Sequence, residues 1–169
     1  MLDTPLILTL TLDANAQQFF NRLREEHFPP ERNYLAAHLT LFHHLPGEQL
    51  EAITRELATR ARHMTPLSLS ITGVQFLGRG VAYSLESPAL QTLHQELQTE
   101  WKPYLTPQDQ QRRRPHVTIQ NKVDPKVARA LHEELSASFQ PFEAQGKGMH
   151  LWAYRGGPWE SVRQFVFLG

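Results

Sequence analysis

The reactive side chains of this chain fall into two short pairs of the same form. His38-Leu-Thr40-Leu lies within AAHLTLFHHL, and His116-Val-Thr118-Ile lies within RPHVTIQNKV. Imidazole gives or takes a proton near neutral pH with little tuning. A hydroxyl two residues along donates a hydrogen bond to an oxygen that gains negative charge. Two such pairs facing each other would flank a phosphorus. One imidazole would deprotonate the attacking water or hydroxyl, and the other would protonate the leaving oxygen. The two threonines would hold the non-bridging oxygens.

A histidine followed by apolar-Thr-apolar arises for roughly one histidine in a hundred at average composition. The nine histidines of this chain would give about 0.1 copies, so two copies are a real signal. In both, apolar and polar residues alternate with period two, the mark of a strand with one buried face. Leu39, Leu41, Val117 and Ile119 then point into a core, and His38, Thr40, His116 and Thr118 share the other face. By the same parity Phe42, His44, Gln120 and Lys122 are expected to face the cleft.

The elements that must carry these strands are legible in order. Residues 5–12 alternate as a first strand, and Asp13 caps a helix over 14–28. The first His-Thr strand runs over about 36–45, followed by a helix over 50–64. Strands at 67–77 and 80–86 flank Gly78-Arg79-Gly80, a hairpin signal. Ser87-Pro88 and Asp124-Pro125 read as N-caps followed by proline, opening helices at 88–101 and 125–139. The second His-Thr strand lies between them at about 115–123. Two strands, 142–154 and 161–168, close the chain around Gly156-Gly157-Pro158.

The order helix, His-Thr strand, helix, two strands thus occurs twice. Residues 65–77 align without gaps with 140–152, matching Pro66 with Pro141 and Gly73 with Gly148. The natural reading is one domain, 1–169, built by internal duplication of about 14–87 as 88–169. The expected class is α+β: bilobal, with two pseudo-twofold-related antiparallel sheets, helices on the outer faces and both His-Thr strands in a central cleft.

Composition narrows the partners. Seventeen basic residues balance seventeen acidic ones, which argues against bulk electrostatic attraction to nucleic acid or membrane. The absence of cysteine excludes disulfides and thiolate metal sites. The N-terminal stretch MLDTPLILTLTLD lacks a basic region and a small-residue cleavage site, so it reads as a strand. No apolar run approaches membrane-spanning length. A cytoplasmic monomer is expected.

The proton-transfer scheme needs no metal and no cofactor. It suits a phosphodiester with a neighbouring ribose hydroxyl, above all a 2′,3′-cyclic phosphate. At this point the paired motifs resemble those of the two-histidine (HxTx motif) phosphoesterase superfamily, in its 2′-5′ RNA ligase (LigT-like) and cyclic phosphodiesterase branch. The resemblance implies a bilobal α+β fold in which the N- and C-terminal segments share one lobe. It implies metal-independent opening of cyclic phosphates on nucleotides or RNA ends, or reversible 2′-5′ joining. It makes His38 and His116 the acid/base pair, and Thr40 and Thr118 the phosphate-binding hydroxyls. Many relatives carry arginine soon after the second motif, where this chain has Asn121 and then Lys122. They often carry phenylalanine after the first, where this chain has His43, with Phe42 one earlier. Lys122 is then expected to supply positive charge, and Phe42 a surface for a base to stack on.

Lesser candidates surround this set. Arg114, in the run Arg112-Arg113-Arg114 before the second motif, sits at the rim of the expected cleft and would steer a polyanion. Arg79 and Arg155 fall near hairpin tips. Tyr83, Trp152, Tyr154 and Trp159 read as core or hairpin packing more readily than as base-stacking groups. His43 and His44 invite a metal reading with His38, but neighbouring strand residues point to opposite faces. A second reading is a non-catalytic module of the same fold that binds RNA or a nucleotide.

Overall fold

A computed structural model describes residues 4–169; Met1–Asp3, the start of the N-terminal stretch read as a strand, lie outside the described residues. Seven strands and four α-helices follow in chain order. They are β1 (Leu6–Leu12), α1 (Ala14–His27), β2 (Leu39–Leu45), α2 (Leu50–His63), β3 (Leu67–Phe76), β4 (Val81–Glu86), α3 (Pro88–Trp101), β5 (His116–Gln120), α4 (Pro125–Ser138), β6 (Phe142–Ala153) and β7 (Glu160–Val166). The three sequence-read caps form. Asp13 Oδ1 accepts from the Ala16 N–H, Ser87 Oγ from Leu90, and Asp124 Oδ1 from Lys126, each satisfying a first-turn amide that the helix leaves without a partner.

All pairings are antiparallel, along the path β2-β1-β6-β3-β4-β5. The long strand β6 joins two halves. Its first residues pair with β3 and its last with β7, while β1 runs along the other edge. The terminal strands β1, β6 and β7 thus complete the half that holds β2, and β3 and β4 complete the half that holds β5. The sheet curls until its two end strands, β2 and β5, touch. These are the two strands that carry the motifs.

One continuous core binds the halves. The helices cross over to do so. Helix α1, between β1 and β2 in sequence, packs on β5; its Phe19 meets Tyr83 and Phe142 edge-on, and its Phe20 meets Tyr83 edge-on. Helix α3, between β4 and β5, covers β2, where Phe42 stacks on His94 and meets Trp101. Each motif strand is therefore clamped from outside by the helix that precedes the other motif strand. No helix among the described residues is long and apolar enough to cross a membrane.

Candidate active site

His38 stands immediately before β2, and His116 opens β5. The same device holds both rings. His38 Nδ1–H donates to the Ala36 carbonyl at 2.8 Å, and His116 Nδ1–H to the Arg114 carbonyl at 3.0 Å. A carbonyl can only accept, so each bond places the proton on Nδ1 and leaves Nε2 bare in the neutral ring. Burial pushes His38 down to about 4, with the charges of Arg24, His43 and His116 acting in the same direction and the Ala36 hydrogen bond opposing. His116 thus lies near enough for its charge to reach His38.

Thr40 is buried and Thr118 half-buried. Among the described residues neither hydroxyl has a hydrogen-bond partner, whereas the neighbouring Thr9 hydroxyl receives the indole N–H of Trp152 at 3.0 Å. Both motif hydroxyls are free to donate to a ligand. Their backbone carbonyls, on the outer edges of the two end strands, are each taken by an arginine. Arg113 Nη2 donates to Thr40 O at 3.2 Å, and Arg24 Nη1 donates to Thr118 O at 3.1 Å. Neither arginine role is written in the motif.

The strand parity read from sequence fails beyond each threonine, for a single reason. Thr9 pairs with Thr40 but Leu8 with Phe42, so Leu41 is unmatched on β1. Ala82 pairs with Thr118 but Val81 with Gln120, so Ile119 is unmatched on β4. Each motif ends in a bulge, and an extra residue turns over the side chain that follows it. Phe42, expected as a cleft surface for a base, is 0% exposed against α3. Gln120, expected in the cleft, is 3% exposed, and its Oε1 is buried without a partner. Gly80 lets β4 start hard against this bulge, since a Cβ there would collide with the Gln120 carbonyl.

Lys122, expected on the cleft face, lies beyond β5 in a left-handed turn at φ 63° and is exposed; its amide is held by Asn121 Oδ1. Arg114 is exposed on a groove of about 1060 Å³ that runs from Thr40 along α3. Arg79 donates to the Val123 carbonyl, and Arg155 pairs with Glu160 in the open. Tyr83 belongs to the core, as read. Among the described residues no three His, Asp or Glu side chains are placed to share an ion, so His38, His43 and His44 do not form a chelating set.

The bulge brings His43 within electrostatic reach of the cleft instead. Burial, then the charges of Arg113 and His116, lower its pKa, and Asp109 opposes them. Asp109 itself, in a stretch read only as loop, is 0% exposed. Its carboxylate accepts from the amides of His43 (2.9 and 3.1 Å) and His44 (2.8 Å), sealing the free edge of β2 where another strand would otherwise pair. Asp109→Asn keeps one acceptor oxygen and turns an amide group on a backbone N–H. We expect it to cost about 1–3 kcal/mol, read as a lower urea midpoint at unchanged slope.

A second buried imidazole completes this edge. His94, 5% exposed, donates to Leu41 O at 3.2 Å, and burial lowers it to about 4. His38 and His94 both have folded values below the unfolded one. Between about pH 6.5 and 4 the unfolded chain therefore binds more protons, and stability falls as pH falls. Urea unfolding at pH 7 and pH 5 should show the loss, and His94→Gln should shrink the difference.

A model of the 2′-5′ RNA ligase superfamily matches residues 12–158. The chain belongs to that superfamily. Solved structures agree on the fold over nearly the whole length of this member. The protein TT0787 of Thermus thermophilus is similar at 16% identity and TM-score 0.68, covering 98% of each chain. Escherichia coli LigT, solved in complex with 3′-AMP, is similar at 20% identity and TM-score 0.62, covering 98% of this chain and 99% of its own. A protein described as a phosphoesterase matches at 21% identity and TM-score 0.62, covering 99% of this chain and 100% of its own. No curated protein matches the chain. Membership supports a phosphoesterase or ligase type of enzyme.

Proposed function

We propose that this superfamily member opens 2′,3′-cyclic phosphates on nucleotides or RNA ends by two-histidine acid/base catalysis, without a metal. The carrying observation is the matched hold on the two motif imidazoles at the two touching end strands, each with Nδ1 tied to a carbonyl, which suits Nε2 of each to proton transfer. One Nε2 takes a proton from water as its oxygen attacks phosphorus. The other, protonated, delivers its proton to the ribose oxygen as the P–O bond breaks, leaving a phosphate monoester. The unpartnered hydroxyls of Thr40 and Thr118 are suited to donate to the non-bridging oxygens, whose charge grows in the transition state. With the 5′-hydroxyl of another RNA end in place of water, the same step bonds that oxygen to phosphorus, breaks the P–O3′ bond, protonates O3′ and leaves a 2′-5′ phosphodiester.

The LigT complexes with 3′-AMP, ATP and NADP+ are consistent with a nucleotide ligand for this chain. The test is turnover of a panel of 2′,3′-cyclic mononucleotides with EDTA present, together with an RNA carrying a cyclic end. Turnover that survives the chelator supports the reading. Binding without turnover of any of these would favour the non-catalytic module.

A further inference from the structure

We propose that Trp159 and Trp152 form a shelf beside His38 that stacks the nucleobase of the ligand, and that it does so without telling one base from another. The inference rests on the proposed nucleotide ligand. In β6 the residues Met149, Leu151 and Ala153 are buried in the core, so His150 and Trp152 between them point to the opposite face. Both are only half-buried. There Trp152 lies on His150, with ring centroids 3.7 Å apart and planes at 20°. Trp159, from the turn between β6 and β7, leans over the same face, 6.1 Å from Trp152 and 4.7 Å from the His38 ring. A run of aromatic rings therefore leads from the His38 imidazole outward over the terminal half, and Trp159 too is half-buried.

A contiguous run of partly exposed aromatic rings is the kind of surface that takes a ligand. A ligand phosphate between His38 and His116 would bring its own flat ring within reach. Two of the polar atoms on the shelf are already engaged. The Trp152 N–H donates to Thr9, and His150 Nε2 bonds Ser161 Oγ at 2.8 Å. Stacking then provides the recognition, and stacking is tolerant of sequence because every base presents a π-face. The other side of the cleft differs. Among the described residues no aromatic ring meets His116. Its strand partner is Ser84, and the groove there is lined by Gln75, Gln91 and Arg112. The near-symmetric cleft thus offers a base only one seat.

Binding tests the shelf independently of turnover. Tryptophan fluorescence of the full chain is titrated with adenosine and cytidine 3′-monophosphates and with ribose 5-phosphate, which carries the anion but no base. The wild type should bind both nucleotides at least roughly tenfold more tightly than the sugar phosphate. Trp159→Leu should erase most of that preference, and Trp159→Phe should retain it, with affinities for the variants read by calorimetry. Equal affinity of the wild type for sugar phosphate and nucleotide overturns the shelf, as does a folded Trp159→Leu that keeps the preference. A strong preference for one base over the other overturns the claim of indifference. Should cyclic phosphates not be turned over at all, the catalytic reading fails while these titrations still decide the shelf.

Discussion

His38→Ala and His116→Ala should each lower turnover of a 2′,3′-cyclic nucleotide by roughly 10²–10⁴-fold, the usual weight of a positioned general acid or base. The two losses should not multiply in the double variant, because base and acid act on one transition state and the absence of either already forfeits the concerted proton transfers. Binding of the nucleotide product should change far less. Neither imidazole is needed to hold the anion while the hydroxyls of Thr40 and Thr118 remain.

The pH profile tells the two rings apart. His38, half-buried and lowered to about 4, stays neutral far into the acid range. If it is the base, kcat/KM keeps its plateau down to about pH 5. An acid limb at higher pH would move the base role off His38. A wild type that turns over nothing, with both variants binding as it does, would end the catalytic reading.

The helices, the caps and the alternation of the motif strands were readable because each is a local property of consecutive residues. The bulges were not. Leu41 and Ile119 look like ordinary inward residues, and only the pairing of β2 with β1 and of β5 with β4 reveals that each lacks a partner. Lys122 leaves the strand in a left-handed turn, whereas the burial of Phe42 and of Gln120 follows from those two long-range facts. His43 reaches the cleft for the same reason. Asp109 was hidden in LTPQDQQRRR, since a loop residue that caps a distant strand edge leaves no periodic trace. Arg113 could be seen as charge, but its bond to Thr40 O could not.

Trp159 was visible as an aromatic residue near a turn, though not as a neighbour of His38. The mirrored bulges and mirrored Nδ1 bonds support the proposed duplication of 14–87 as 88–169 better than the few sequence identities do.

Arg24 did leave a trace in the sequence, and its replacement should be the most damaging to stability. Ala16, Phe20 and Arg24 recur four apart on the buried face of α1, so a charge stands where an apolar residue is the rule. The structure gives the reason. Arg24 is 5% exposed, its Nε donates to Asn33 Oδ1 at 2.8 Å, its Nη1 to Thr118 O, and its guanidinium lies 3.9 Å from the centre of the Phe28 ring. Burial lowers it to about 10, which still leaves it charged at neutral pH.

Arg24→Met fills similar space but strands the Thr118 carbonyl and the Asn33 amide oxygen. We expect a loss of about 2–4 kcal/mol, roughly 1–3 for each buried group left unpaired. Lysine should not rescue it, because a single ammonium cannot reproduce the planar fork that meets a side chain and a strand edge at once. Loss of that charge should also let the His38 pKa rise toward its ordinary value. Urea unfolding reads the first effect and NMR titration of His38 the second. A midpoint unchanged from wild type, with the His38 titration unmoved, would show that the arginine neither anchors β5 nor reaches the cleft.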